Sequence, residues 1–260
     1  MKAGPVKHDL LVQPGARKKN AVEMLLMHDR IWRQKASLRI IYKSYFKAIS
    51  KKCQPGETLE IGAGSGIFRD CGYSAISTDI ECTAKVDVVS DAQSLPFVDA
   101  SFTNIVGVDV LHHIERPIRF LREVHRVLQP KGRLILLEPA ITPISHFFFR
   151  KFHPEPFNME ADILDDGPVD SNRDPFLSNQ AIPTLLVSRY KNQLHSTIPG
   201  LKLSEHQWLG SLAYPLSGGF QEWSLVPRLV VRPVLALESL IDVVLGRWTA
   251  FRLIVTLERS

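Results

Sequence analysis

The stretch Thr58-Leu59-Glu60-Ile61-Gly62-Ala63-Gly64-Ser65-Gly66 constrains this 260-residue chain more than any other. A short apolar run is broken by an acid, and glycines then occupy every second position. The run reads as a buried parallel strand, and the glycines as a tight strand-to-helix turn. Without Cβ atoms, such a turn lets the backbone come into contact with a ligand. The spacing narrows the choice of ligand. A dinucleotide fingerprint, G-x-G-x-x-G, opens a helix with its third glycine and holds pyrophosphate at that helix's N-terminus. Here the third glycine is Gly66 and Ile67 follows it. Glu60, just before the loop, would repel a phosphate but suit a cation. A ligand with an adenosine and a positively charged amino-acid tail matches these residues better than NAD does.

Beyond the loop the chain keeps a β-α-β rhythm. A short helix is expected over Ile67–Cys71, and Ala75–Ile80 reads as a second strand ending at Asp79. A carboxylate there can accept from both hydroxyls of a ribose, and Ile80 is placed to lie against a base. Lys85–Val89 reads as a third strand, followed by Asp91-Ala92-Gln93-Ser94-Leu95-Pro96-Phe97. Ser101–Ile114 contains the fourth strand and its exit, with Asp109, His112 and His113 near its end. Pro117 opens a helix with Ile118, Leu121, Val124 and Leu128 as its apolar stripe and an outward i,i+4 pair, Arg119 and Glu123. Glu123-Val124-His125-Arg126-Val127-Leu128-Gln129-Pro130-Lys131-Gly132 ends that helix, and Arg133–Glu138 is a fifth strand.

The glycine loop, the acid at the second strand end, D-A-x-x-L-P-F and E-x-x-R-x-L-x-P-x-G follow one another in an order that resembles the class I S-adenosylmethionine-dependent methyltransferases, in the branch grouped as type 11. The resemblance covers roughly the central third of the chain. It implies an α/β fold, a seven-stranded Rossmann-like sheet with helices on both faces, and S-adenosyl-L-methionine as cofactor. It assigns the cofactor site to Glu60, Gly62, Ala63, Gly64, Gly66, Asp79 and Ile80, with Asp91 on the adenine amino group and Ala92 against the ring. Asp109 is placed to touch the cofactor's amino group. It also puts the active-site mouth just past the fourth strand, with a helical cover over Asp29–Tyr42 as substrate wall.

Four stretches of one domain follow: 1–52, a basic arm and helical cover; 53–140, the cofactor-binding core; 141–199, an acidic and aromatic lid insertion with a helix; and 200–260, C-terminal strands with an inserted loop and amphipathic helix. Residues 1–15 read as an extended arm and 16–50 as helical. Residues 1–52 carry thirteen Lys or Arg against three Asp or Glu, a charge of +10 in a chain whose total is only +5. Such a segment suits anionic lipid, nucleic acid, an anionic substrate or plain solvent. Seven acids between 155 and 174 lack the alternating order of a calcium loop, so they read as a solvated lid with no metal. Within 209–232 the chain is turn-rich. Pro233 then opens a helix with Val234, Leu237, Ile241 and Val244 on one stripe and Ser239 and Asp242 opposite, ended by Gly246. This addition is consistent with a homodimer contact, a substrate lid or peripheral contact with a membrane.

Composition excludes several classes. Hydrophobic residues make up 45% and charged residues 23%, which is the balance of a globular chain. No run reaches the length of a membrane span, and Met1–Asp9 lacks the apolar core of a secretory leader. Three cysteines without a C-x-x-C pair suit a reduced compartment. The chain is therefore expected in the cytoplasm, with the inner membrane surface as its peripheral option.

Methyl transfer to a hydroxyl needs a proton acceptor beside the cofactor, and His113 and His112 are the candidates. The N-P-P-[YF] signature of amide or adenine N-methylation is absent: Asp109-Val110-Leu111-His112 stands there. The expected activity is O-methylation of a small-molecule or lipid-like acceptor, with no nucleic-acid partner. C- or N-methylation on the same fold, a catalytically silent partner subunit and an NAD oxidoreductase are the competing readings.

Overall fold

The computed structural model describes residues 14–152, 155–170 and 172–260. Most of the arm read over residues 1–15 lies outside them. The chain builds one seven-stranded sheet in the order β3-β2-β1-β4-β5-β7-β6. The strands are β1 (Thr58–Ile61), β2 (Ile76–Asp79), β3 (Val88–Val89), β4 (Phe102–Val108), β5 (Leu128–Pro139), β6 (Leu201–Leu209) and β7 (Arg252–Arg259). The first five are parallel, and β7 runs antiparallel to both of its neighbours.

Both faces are covered, which is why the central strands read as continuous apolar runs. The two-residue period is visible along β5. Leu134 and Leu136 enter a core with α4 (Pro117–Val127), α6 (Ile182–Val187) and α7 (Lys191–Thr197). Ile135 and Leu137 enter the opposite core, with α2 (Ala36–Ser50) and Phe68 of α3 (Ile67–Asp70). On α2, Leu38, Ile41, Tyr42, Tyr45, Phe46 and Ile49 are all buried, following the helical spacing read from the sequence.

Several expectations change. The helical stretch over 16–50 is two helices, α1 (Pro14–Gln34) and α2, broken at Lys35. Lys35 has extended backbone, and its buried ammonium donates to the carbonyls of Gly219, Gln221 and Trp223. Arg119 does not pair with Glu123. Arg119 Nε donates to Asp166 at 2.9 Å, while Glu123 accepts from Arg126 and from the Leu95 amide. The acidic insertion is accordingly strapped to α4: Arg116 holds Asp165, and Arg119 and Arg122 both hold Asp166.

The C-terminal helix also differs. α9 runs Val231–Thr249, straight through Gly246. That glycine is instead a point of close approach, since a Cβ there would meet Trp208 Cβ at 3.0 Å. The polar edge of α9 faces the protein: Glu238 accepts from the Leu212 and Ala213 amides, and Asp242 from Gly210 N and Ser211 Oγ. Burial pushes the Glu238 carboxyl up to about 7.

Candidate active site

The glycine loop lies at the C-terminal end of β1, and its three glycines all have left-handed backbone. Gly62, at φ 68°, has no room for a side chain, because a Cβ would lie 2.7 Å from Val110 Cγ2. The loop therefore runs directly against the exit of β4. Ala63 is fixed by its amide, which donates to Thr78 O. Asp79 sits at the end of β2 with one oxygen 2.7 Å from Gly64 N and the other 2.8 Å from Glu81 N. Two backbone amides thus aim the carboxylate at the loop, and its outer lone pairs remain for a diol. Ile80 beside it is half exposed and offers an apolar surface. Across from it, Asp91 caps its own turn through Gln93 N at 2.8 Å, and Ala92 is buried. A tight glycine cradle, an aimed carboxylate and an apolar shelf are the donor set that an adenosine-bearing cofactor needs.

Glu60 is placed differently from a free ligand. It is buried and accepts from Ser77 Oγ at 2.9 Å, and burial pushes its carboxyl up to about 7. Asp109 likewise has its partners inside the protein. It takes left-handed backbone at φ 56°, accepts from Tyr42 Oη at 3.2 Å and pairs with Arg252 at 2.6 Å. Burial opposes charge on Asp109, but Arg252 outweighs it and holds the carboxyl below its ordinary range. The cover therefore contributes a side chain to the site, through Tyr42.

The two histidines lie on a 3-10 turn, Leu111–His113, and they have different environments. Glu138, at the end of β5, accepts from the Val110 and Leu111 amides with one oxygen and bonds His112 Nδ1 at 2.6 Å with the other. Burial opposes charge on His112, but the Glu138 hydrogen bond and charge prevail, so its proton affinity is raised. His113 goes the other way: burial, then the neighbouring His112, lowers it to about 4. Its Nδ1 is buried with no hydrogen-bond partner among the described residues. Phe176 of the insertion meets the His113 ring edge-on at 6.2 Å, and Arg173 donates to the His113 carbonyl. The insertion thus closes over the histidine turn.

Five further residues converge here without having been singled out as site residues from the sequence. Glu138 and Glu155 flank His112, the latter 3.8 Å from Nε2. Arg252 and Tyr214 stack, with the guanidinium carbon 4.9 Å from the ring centroid. His28 of α1 packs on Phe220 and feels the charges of Asp109 and Glu155. Only Glu138 carried a local signal, as the acid closing an apolar strand. Among the described residues, two sets of donors lie within 4.8 Å of one another: His112, His113 and Glu155, and Asp109, His112 and Glu138. Both use His112, through Nε2 beside Glu155 in the first and through Nδ1, already bonded to Glu138, in the second. The Arg252 guanidinium beside Asp109 would repel a cation from the second set.

Comparison with known proteins agrees with this geometry. Residues 59–136 match a family model described as a methyltransferase domain. An uncharacterised protein of Methanocaldococcus jannaschii is 32% identical over 105 residues, covering 37% of this chain and 51% of that protein. A probable S-adenosylmethionine-dependent methyltransferase of Mycobacterium tuberculosis is 27% identical over 147 residues, covering 48% and 53%. The chain thus spans about half the length of these curated relatives. Among solved structures, an S-adenosylmethionine-dependent methyltransferase from Thermotoga maritima superposes with a TM-score of 0.56 at 17% identity, over 94% of this chain and 98% of that one, which speaks to the fold. Residues 59–136 are thus similar to the methyltransferase domain, and the sheet around them has the fold of an S-adenosylmethionine-dependent methyltransferase.

Proposed function

We propose that this chain transfers a methyl group from S-adenosylmethionine to an oxygen of a small-molecule or lipid-like acceptor. The observation that carries the reading is the division of labour between the histidines. His112 is bonded through Nδ1 to Glu138, which raises its proton affinity, and it serves to fix the turn. His113, neutral at ordinary pH and with an unused Nδ1, is left to take a proton. The cofactor supplies an electrophilic carbon, so the chain has only to align the acceptor, exclude water and receive the proton. In that step the acceptor oxygen gains the methyl carbon as the sulfur–carbon bond breaks, and the hydroxyl proton passes to His113 and then to solvent.

Relatives that match part of the chain carry names such as probable tRNA methyltransferase 9B in Mus musculus and demethylmenaquinone methyltransferase in Beutenbergia cavernae. The test is therefore an open one. Methyl-labelled cofactor is incubated with the full chain and, separately, phenolic, quinol, aliphatic alcohol, amine and tRNA acceptors, and the position of the label is read by fragmentation. Label on oxygen, with turnover reduced roughly 100-fold or more in His113→Ala at unchanged S-adenosylhomocysteine affinity, is the expected result. Label on carbon, nitrogen or tRNA, or full turnover by the variant, rejects it. Binding without turnover on any acceptor would assign the chain to the silent-subunit reading.

A further inference from the structure

α9 carries more apolar surface than it buries: Val231, Val234 and Leu235 pack into the core, and several other apolar residues do not. Its acids, Glu238 and Asp242, face the protein and are consumed by backbone and serine donors. A second apolar stripe faces outward. Leu237, Leu240, Val244 and Trp248 follow i, i+3, i+7, i+11 spacing and are 54, 70, 69 and 40% exposed, with Val243 beside them at 85%. The segment leading into the helix adds exposed Leu225 and Leu229. α5 (Pro143–Phe152) packs against α9 and contributes exposed Ile144, Phe147 and Phe152. Isolated exposed apolar residues are ordinary, but a stripe shared by two neighbouring helices marks a contact surface.

The charges around the stripe select its occupant. Arg228, Arg232 and Arg247 on the α9 segment and Arg150 and Lys151 on α5 are all exposed. Between 143 and 152 and between 225 and 249 the only acids are the two that face inward. A second copy of this chain on a two-fold axis would bring like charges together, with no carboxylate on the face to pair with them. An anionic bilayer supplies both complements at once: phosphates for the arginines, and acyl chains for the leucines, phenylalanines and Trp248. No helix among the described residues is long and apolar enough to cross a membrane, so the contact is one of lying on the surface.

We propose that the α5–α9 face docks this protein on an anionic lipid bilayer. The placement gives the contact a purpose. Pro139, where β5 leads towards α5, is paired in register with Arg252, which α9 feeds into β7. Arg252 is the residue that grips Asp109 in the candidate site, so the docking face and the cleft share one edge of the sheet. The inference stands on the surface alone and does not depend on the identity of the acceptor.

The experiment is sedimentation of the full chain with phosphatidylglycerol–phosphatidylcholine vesicles and with phosphatidylcholine vesicles, at low salt and at about 0.5 M salt. Binding to the anionic vesicles alone, weakened by salt, is expected. Leu240→Glu with Val244→Glu should reduce it at least roughly 10-fold, as should serine at Arg228, Arg232 and Arg247 together. Both variants change exposed side chains, and unchanged S-adenosylhomocysteine affinity and melting temperature show that they fold. No binding to either vesicle, binding that ignores both sets of substitutions, or a dimer in light scattering that Leu240→Glu with Val244→Glu turns into a monomer, each overturns the proposal.

Discussion

Arg252 Nη1 donates to Asp109 Oδ1 at 2.6 Å, joining the first residue of the last strand to the exit of β4, 143 positions earlier. Arg252 is almost fully buried and the Asp109 side chain less so. Removing either partner strands a charge in a largely dry place, which costs about 3–5 kcal/mol for a fully buried pair. Asp109→Asn and Arg252→Met should each lower stability toward that range. Asparagine tolerates the left-handed backbone at 109, so the first change tests the charge rather than the turn. Their combination should cost clearly less than the two added together. A urea-denaturation cycle with additive losses would show that the pair is not coupled.

Glu60 gives a pH test with a definite sign. Burial pushes its carboxyl to about 7, above the ordinary 4.5, so the folded chain binds this proton more tightly than the unfolded chain. That contribution is complete below pH 4.5 and is lost as pH rises through about 7. Glu60→Gln keeps an acceptor for Ser77 without the titration. Stability of the cofactor-free chain should therefore shift in the variant's favour between pH 5 and pH 8, by on the order of 3 kcal/mol. Glu238, raised in the same direction, is common to both proteins and cancels in the comparison. Urea midpoints that track each other in parallel across this range would show that Glu60 is ionised in the fold at neutral pH.

What the sequence disclosed and what it concealed follow from how local each feature is. The glycine loop, Asp79 and the apolar period of α2 are written in neighbouring residues; in the structure Asp79 accepts from Gly64 N and the α2 stripe is buried. Glu138 takes its role from lying beside the exit of β4, which only the sheet register creates. At the break, Arg39 satisfies the Trp32 and Arg33 carbonyls locally, but the acceptors of the Lys35 ammonium lie far along the chain, at 219–223. For α9, periodicity revealed a stripe but not the direction it faces. The helix turned its polar edge inward because Glu238 and Asp242 had unpaired amides at 210–213 to satisfy. The outward Arg119 failed similarly, since its partner Asp166 belongs to an insertion that looked solvated.

His112 and His113 should titrate in opposite directions from their ordinary midpoint. The Glu138 bond outweighs burial and raises His112, whereas burial and the adjacent charge lower His113 to about 4. Ring-carbon NMR of the cofactor-free protein, assigned with His112→Gln and His113→Gln, should show a neutral ring at 113 throughout pH 5–8. The ring at 112 should remain protonated past the usual midpoint of about 6.5. Glu138→Gln should drop the His112 midpoint while leaving His113 neutral. A ring at 113 that titrates near 6.5 would put a different acid-base pair at the turn, and the proton acceptor would have to be reassigned.

Lys35 clips the cover to the C-terminal insertion. Its ammonium donates to three carbonyls, Gly219, Gln221 and Trp223, each at 2.8 Å, while Arg30 pairs with Glu222 in the same loop. The three carbonyls belong to turns that cannot supply their own donors, so the lysine substitutes for missing backbone amides. Lys35→Met keeps the stem's bulk and removes all three donors. The loss should be about 1–3 kcal/mol, because unpaired carbonyls must reopen to water. Since the loop lies near the surface, most of that loss should appear as local opening. Hydrogen exchange should accelerate over residues 216–226 and at the α1–α2 junction, and remain unchanged in β4, β5 and β7. Exchange that rises uniformly across the sheet would place Lys35 in the global fold instead, and unaltered exchange at 216–226 would show that the loop holds its shape without the clip.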